Sequence, residues 1–260
     1  FLFLLWRKPW PVQLISIAAL LGLTWAMYTY HQVQPIDLDA GSPEVGVTSE
    51  WAQANLNEIP AVWQKNNNVG HMVDVKLLNW FPQSKPFEFN RGGYQTINFI
   101  PSLATMLIGL MCGELLRSPT IRSRKFIFLC IVGILGIALG LVWDAQGCPM
   151  IKRLWTPSWT LFSSGICCLI LAFLYAAIDL SGWKLWAFPF VVVGMNSIAI
   201  YVMGQLLRPW TAKTLNTHFG ANLFEMFGKE LQPTVQATLV GLCFWLVCLW
   251  LYRNKIFIRI

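Results

Sequence analysis

Six apolar runs, at 12–30, 97–116, 126–143, 159–178, 187–207 and 234–252, constrain this chain more than any other feature. Each is close to the roughly 20 apolar residues that an α-helix needs to cross a bilayer. Lipid offers no partner to an exposed backbone amide, so apolar runs of this length fold as helices. The fold class expected is therefore all-α, a polytopic membrane helix bundle of about six complete transmembrane helices. Charged residues make up 12% of the chain, against about 25% in soluble domains. Many of the 14 Trp sit where apolar runs end, as in an interfacial aromatic belt. The opening FLFLLWRKPW has its basic pair after its apolar stretch, the reverse of a signal peptide. It reads as the tail of a preceding helix ending at Arg7-Lys8, so the chain is expected to begin mid-protein, with upstream helices missing.

Basic residues next to the runs set an orientation. Arg7-Lys8, the Arg117–Lys125 cluster and Arg253/Lys255/Arg259 share one side if six helices alternate. That side is expected to be cytoplasmic, including the C-terminus. The connections 31–95, 144–158 and 208–233 then lie outside. The first holds seven Asp/Glu against four Lys/Arg, and its part 50–65 reads as a short amphipathic helix. The last reads as a polar loop. In 97–116, Asn98, Ser102, Thr105, Gly109 and Cys112 recur at helical spacing and form one small, polar face. Gly136 and Gly140 stand four apart, a spacing that lets helices approach closely. Thr156-Pro157 reads as a helix start, with Thr as cap and Pro at the first position. The stretch 191–208 is expected to be one helix, with Gly194, Ser197, Tyr201, Gly204 and Arg208 on one side and Asn196 near its middle. A buried amide there must face other helices or a wet cavity.

No metal motif, phosphate-cradling glycine loop or nucleophile elbow is present. Six of the seven Cys lie in apolar runs, and Cys148 alone lies in a loop, so no disulfide or zinc spacing exists. The net charge of +7 sits beside apolar runs and not on a soluble face, which argues against a nucleic-acid partner. Polar groups on membrane helices remain. Asn98 and Asn196 divide evenly between a site and interhelical packing, whereas Ser102, Thr105, Ser163 and Ser164 read as packing. His71 and Asp74 are three apart and would share a helix face, as an acid–base pair or as solvated loop residues. Lys152-Arg153 could meet an anionic group on the outer side, though membrane flanking explains them more simply.

With these residues in view, the chain resembles the heparan-α-glucosaminide N-acetyltransferase family and its bacterial transmembrane acyltransferase relatives. GMNSIAIYV at 194–202 with YRNKIFIRI at 252–260 looks like the end of that family. YQTINFIPSLATMLIGLMCGELLR at 94–117 resembles its Thr-Ile-Asn segment and following helix. WTPSWTLFSSG at 155–165 and the Asp of HMVD at 71–74 also fit.

The resemblance makes residues 1–260 the C-terminal portion of one acyltransferase-like domain, in a bacterial inner membrane. It implies transfer of acetyl from cytoplasmic acetyl-CoA, as co-substrate and without a metal, to an amino sugar or glycan on the far side. The partners it implies are membrane lipid and that acceptor, and a homodimer is compatible with it. The family's key histidine falls ahead of Phe1, so no catalytic residue maps here, and this stretch alone is expected to be inactive. A further family histidine is replaced where Met203-Gly204-Gln205 stands. Asn98, Asn196 and Ser197 match positions that line the family's bundle. Either asparagine amide could bind the thioester oxygen as it gains charge. Arg117, Arg122, Arg124 and Lys125 would form a basic rim for the nucleotide end of the donor. The alternative is a transporter or scaffold that holds a sugar or lipid without chemistry.

Overall fold

Five of the six apolar runs form unbroken helices long enough to cross a membrane, and the remaining run is broken. The computed structural model describes residues 8–220, 222–226 and 228–258. The expectations for Phe1–Trp6, Arg7 and Arg259 lie outside the described residues. The chain divides into two units, Phe1–Ala176 and Ala177–Ile260.

In the first unit α1 spans Trp10–Thr29, with a proline in its first turn where the missing N–H costs nothing. The long connection that follows carries two short helices, α2 (Ser49–Asn55) and α3 (Val69–Leu78). The amphipathic helix expected over 50–65 is shorter. Pro60 holds an extended ψ of 143°, and only a single 3-10 turn, Ala61–Trp63, follows it. A second 3-10 turn, Thr96–Asn98, leads into α4 (Phe99–Arg117). Then come α5 (Arg122–Ala145) and α6 (Pro157–Tyr175). The helix start expected at Thr156-Pro157 is present: Thr156 accepts a hydrogen bond from the Trp159 amide.

The expected glycine contact forms between α5 and α6. A Cβ on Gly136 would lie 3.0 Å from the Gly165 Cα, and one on Gly165 would lie 2.7 Å from the Gly133 carbonyl oxygen. The two backbones touch, and a side chain on either glycine would push them apart. Helices α1 and α4 pack through Ile17 and Leu21 against Ala104 and Leu107. Near one end of this pair the buried Gln13 donates to Glu114 at 3.1 Å. The outer face of α5, with Ile127, Ile131, Leu135 and Val142, is exposed and apolar, a surface that lipid satisfies. The chain is an integral membrane protein.

The second unit departs most from expectation. The run expected as one helix over 187–207 is a 3-10 turn, Leu185–Ala187, followed by α7 (Phe188–Gly194) and α8 (Ser197–Leu206). Its two halves are bent by 68° at the break. Gly194 and Ser197 therefore belong to different helices, and no single straight face joins them to Tyr201, Gly204 and Arg208. The cause is Asn196, which takes a non-helical φ of −133° and ψ of 43°. The polar loop expected at 208–233 contains a helix, α9 (Arg208–Phe219), ended by Gly220 at φ +99°. The last span, α10, covers Gln232–Arg253. Among the described residues there is no β-strand beyond an isolated bridge from Ser42 to Val47.

Candidate functional site

Residues 31–98 and the connection between α5 and α6 gather into a polar cap at one end of the first unit. The Trp63 indole donates to the Gly147 carbonyl at 3.1 Å, tying the two segments together. Trp63 also stacks on Tyr28 at the end of α1, with ring centroids 4.5 Å apart. The Tyr28 hydroxyl donates to Gln95 at 2.5 Å, and Gln95 donates to Asn68, which caps α3 through the His71 amide. Gly70 faces this network. A Cβ there would fall 1.8 Å from the Gln95 oxygen, so a side chain at this position would push the Gln95 amide out of the network.

One turn along α3, Asp74 is buried and both its oxygens accept from the Thr96 amide, at 3.0 and 3.2 Å. The carboxylate thereby fixes the turn that leads into α4. That turn places Asn98, whose amide donates to the Arg153 carbonyl at 2.6 Å. The Asn98 side-chain oxygen is buried without a partner. Arg153 in turn donates to the Gly92 carbonyl at 2.9 Å. Beside it Trp155 holds a left-handed φ of +52°, a strained value for a bulky residue, and its indole donates to Thr105 at 3.0 Å.

His71 and Asp74 do share the helix that their spacing suggested. Yet no hydrogen bond joins the imidazole to the carboxylate among the described residues; Asp74 is turned to Thr96. His71 is half-buried, and burial holds its pKa below the ordinary histidine value while the Asp74 charge opposes the shift.

Between these segments lies a pocket of about 370 Å³. Trp51 and Trp63 contribute aromatic surface, and Lys65, Lys152 and Arg153 contribute charge. No acidic residue lines it. The Lys65 ammonium lies 4.8 Å from the centre of the Trp51 ring. Sequence reasoning singled out Lys152-Arg153 but missed Trp51, Trp63 and Lys65. Nothing in a linear reading brings residues 51–65 to residues 152–153.

The other sequence candidates stand apart from this pocket. Arg117, Arg122 and Arg124 are exposed at the junction of α4 and α5. Lys125 is buried, and its ammonium donates to the Leu116 carbonyl at 2.7 Å, so it caps α4. Of the small polar face on α4, Cys112 meets Cys168 of α6 with sulfurs 3.7 Å apart, and Ser102 bonds back to the Asn98 carbonyl. In the second unit Asn196 is fully buried. Its amide donates to the Ile256 carbonyl at 3.2 Å and its oxygen accepts from the Ile258 amide at 3.0 Å. Both ends of the side chain are thus engaged by the C-terminal backbone, and not by other helices or a wet cavity. Ser197, next to it, is exposed.

Comparison with known proteins gives two matches to one kind of enzyme. The chain is 30% identical to human heparan-alpha-glucosaminide N-acetyltransferase over 173 residues, covering 62% of this chain and 24% of that protein. It is 33% identical to the mouse protein of the same name over 116 residues, covering 42% of this chain and 17% of that protein. The chain thus spans about a quarter or less of the length of these relatives. No protein-family model matches it. The kinship foreseen from the Asn-Ser and Thr-Ile-Asn segments is present: the chain is related to this family of N-acetyltransferases.

Proposed function

We propose that this chain is one portion of a transmembrane acetyltransferase that moves acetyl from acetyl-CoA to an amine or hydroxyl of a sugar or glycan across the membrane. The observation that carries the reading is the 30% identity to the human N-acetyltransferase over 173 residues. Two structural features support it. The first unit has a basic end, where Arg117, Arg122 and Arg124 are exposed, and a polar cap at its other end. A donor with an anionic nucleotide suits the first, and the excess of basic residues there supports a cytoplasmic position for it. A polar acceptor suits the second.

In the transfer the thioester C–S bond breaks and a C–N or C–O bond forms. The acceptor's proton leaves to the thiolate of coenzyme A. The histidine that would carry the acyl group or take the proton belongs, by resemblance, to a segment ahead of Phe1. Within this chain, Asp74 and Asn98 act as positioning residues that fix the floor and rim of the cap. Asn98 offers the acceptor a buried, unpartnered oxygen, which receives a donor such as an amine or hydroxyl better than it stabilises an oxyanion.

The test is to incubate the full-length protein in membranes with acetyl-labelled acetyl-CoA, first without acceptor and then with glucosamine. Thiol release with label on the sugar supports the reading. Label trapped on protein before the sugar is added marks a covalent route. No thiol release and no labelled product would reject acetyl transfer and leave a transporter or scaffold.

A further inference from the structure

The cap pocket is lined by three cations, two of which the fold itself holds in place. Asn98 holds the Arg153 backbone at 2.6 Å, and the guanidinium is aimed by the Gly92 carbonyl at 2.9 Å. Lys65 is held over Trp51 and within 3.5 Å of the Gly46 carbonyl. Lys152 adds a third charge to a pocket lined by no carboxylate. Like charges repel, and Lys65 reports it: burial and then the Arg153 charge hold its pKa below the usual lysine value. Cations gathered this way lack a counter-charge.

From this pocket geometry we propose a binding site for a phosphorylated saccharide, with the phosphoryl group between Lys65, Lys152 and Arg153 and a sugar ring against the half-buried Trp51. The proposal rests on the glycan-acceptor reading above and names the class of sugar. A phosphate monoester carries about −1.5 to −2 charges and three acceptor oxygens. That matches an arginine fork and two ammonium groups better than a single carboxylate does. The aromatic floor explains why the ligand is more than phosphate, because the C–H face of a pyranose buries apolar surface there. The volume of about 370 Å³ falls within the range of small-ligand sites, roughly 300–1,000 Å³.

The test uses the full-length protein in nanodiscs of zwitterionic lipid, titrated with glucosamine 6-phosphate, glucosamine and inorganic phosphate and read by tryptophan fluorescence and calorimetry. Glucosamine 6-phosphate is expected to bind about tenfold tighter than either glucosamine or inorganic phosphate. Arg153→Gln should erase most of that preference. Lys152→Gln, at an exposed side chain, should weaken it several-fold with thermal unfolding unchanged, which separates binding from folding. Equal binding of glucosamine and its phosphate would overturn the proposal, as would full affinity in both variants. A response to anionic lipid in the discs with none to the sugar phosphate would also overturn it and assign the pocket to headgroups. Phosphate-selective binding without thiol release from acetyl-CoA keeps this site and rejects acetyl transfer. Acetylation of glucosamine with no phosphate preference does the reverse.

Discussion

Two asparagines, one in each unit, sit where a membrane helix begins after a break in regular structure, and each grips a distant backbone. Asn98 in the first unit holds the Arg153 carbonyl, and Asn196 in the second holds Ile256 and Ile258. The surroundings differ. The Arg153 segment is fastened twice more: through Arg153 to Gly92 and through Trp155 to Thr105. Residues 256–258 are held as well by the Ile256 amide, which donates to the Leu251 carbonyl, and by the Phe257 ring, which meets the Tyr252 ring edge-on. One amide uses its nitrogen and leaves its oxygen without a partner, and the other has both ends of its side chain engaged. The same residue type thus keeps an unsatisfied oxygen in one place and is fully satisfied in the other.

The largest effect should follow from Asn196→Leu. It removes two bonds at a fully buried site and orphans a carbonyl and an amide, costing about 3 kcal/mol. Thermal unfolding in detergent should fall, and limited proteolysis should cut the C-terminal tail. Asp74→Ala comes next, at about 2 kcal/mol, because the Thr96 amide loses both acceptor oxygens. Asn98→Ala should cost only about 1 kcal/mol, since neighbouring bonds retain the Arg153 segment and the orphaned Asn98 oxygen disappears with the side chain. An Asn98→Ala loss as large as that of Asn196→Leu would break the contrast between a partly and a fully engaged amide.

The smallest effect is a pH dependence. The His71 pKa is lowered in the folded chain, so as pH falls below the ordinary histidine value of about 6.5 the unfolded chain takes up a proton first. Stability should then drop until the folded pKa is reached and level off below it. Comparing wild type with His71→Gln between pH 7 and 5 isolates this slope, and identical slopes would mean that His71 is solvated in the folded cap.

Much of this was legible in the sequence, because the bilayer imposes a length that apolar runs either meet or fail. The glycine spacing in α5 announced a close helix contact without naming its partner, and Thr156-Pro157 named a helix start. What escaped was tertiary. The break at Asn196 is invisible to hydropathy, since α7 and α8 are both apolar and the partner of the amide lies some sixty positions away in the tail. Helix α9 was hidden by its polarity. Asp74 was noticed as a partner for His71, but its real partner, the Thr96 amide, is a backbone group and leaves no mark in a side-chain pattern. The pocket was half seen: Lys152 and Arg153 were flagged, while Trp51, Trp63 and Lys65 join them only through the folded cap.

The glycine seam between α5 and α6 also bears on the order of assembly. Its partners are neighbours along the chain, so the contact closes a short loop and can form as soon as both helices are in the bilayer. Helix α1 must instead wait for α4 across the whole polar connection. A hairpin that forms early sets its own turn early, and that turn carries Lys152 and Arg153. Slow folding variants are therefore expected at Gly136 and Gly165, where an added side chain obstructs the first tertiary event, more than at residues of the cap that close over it later.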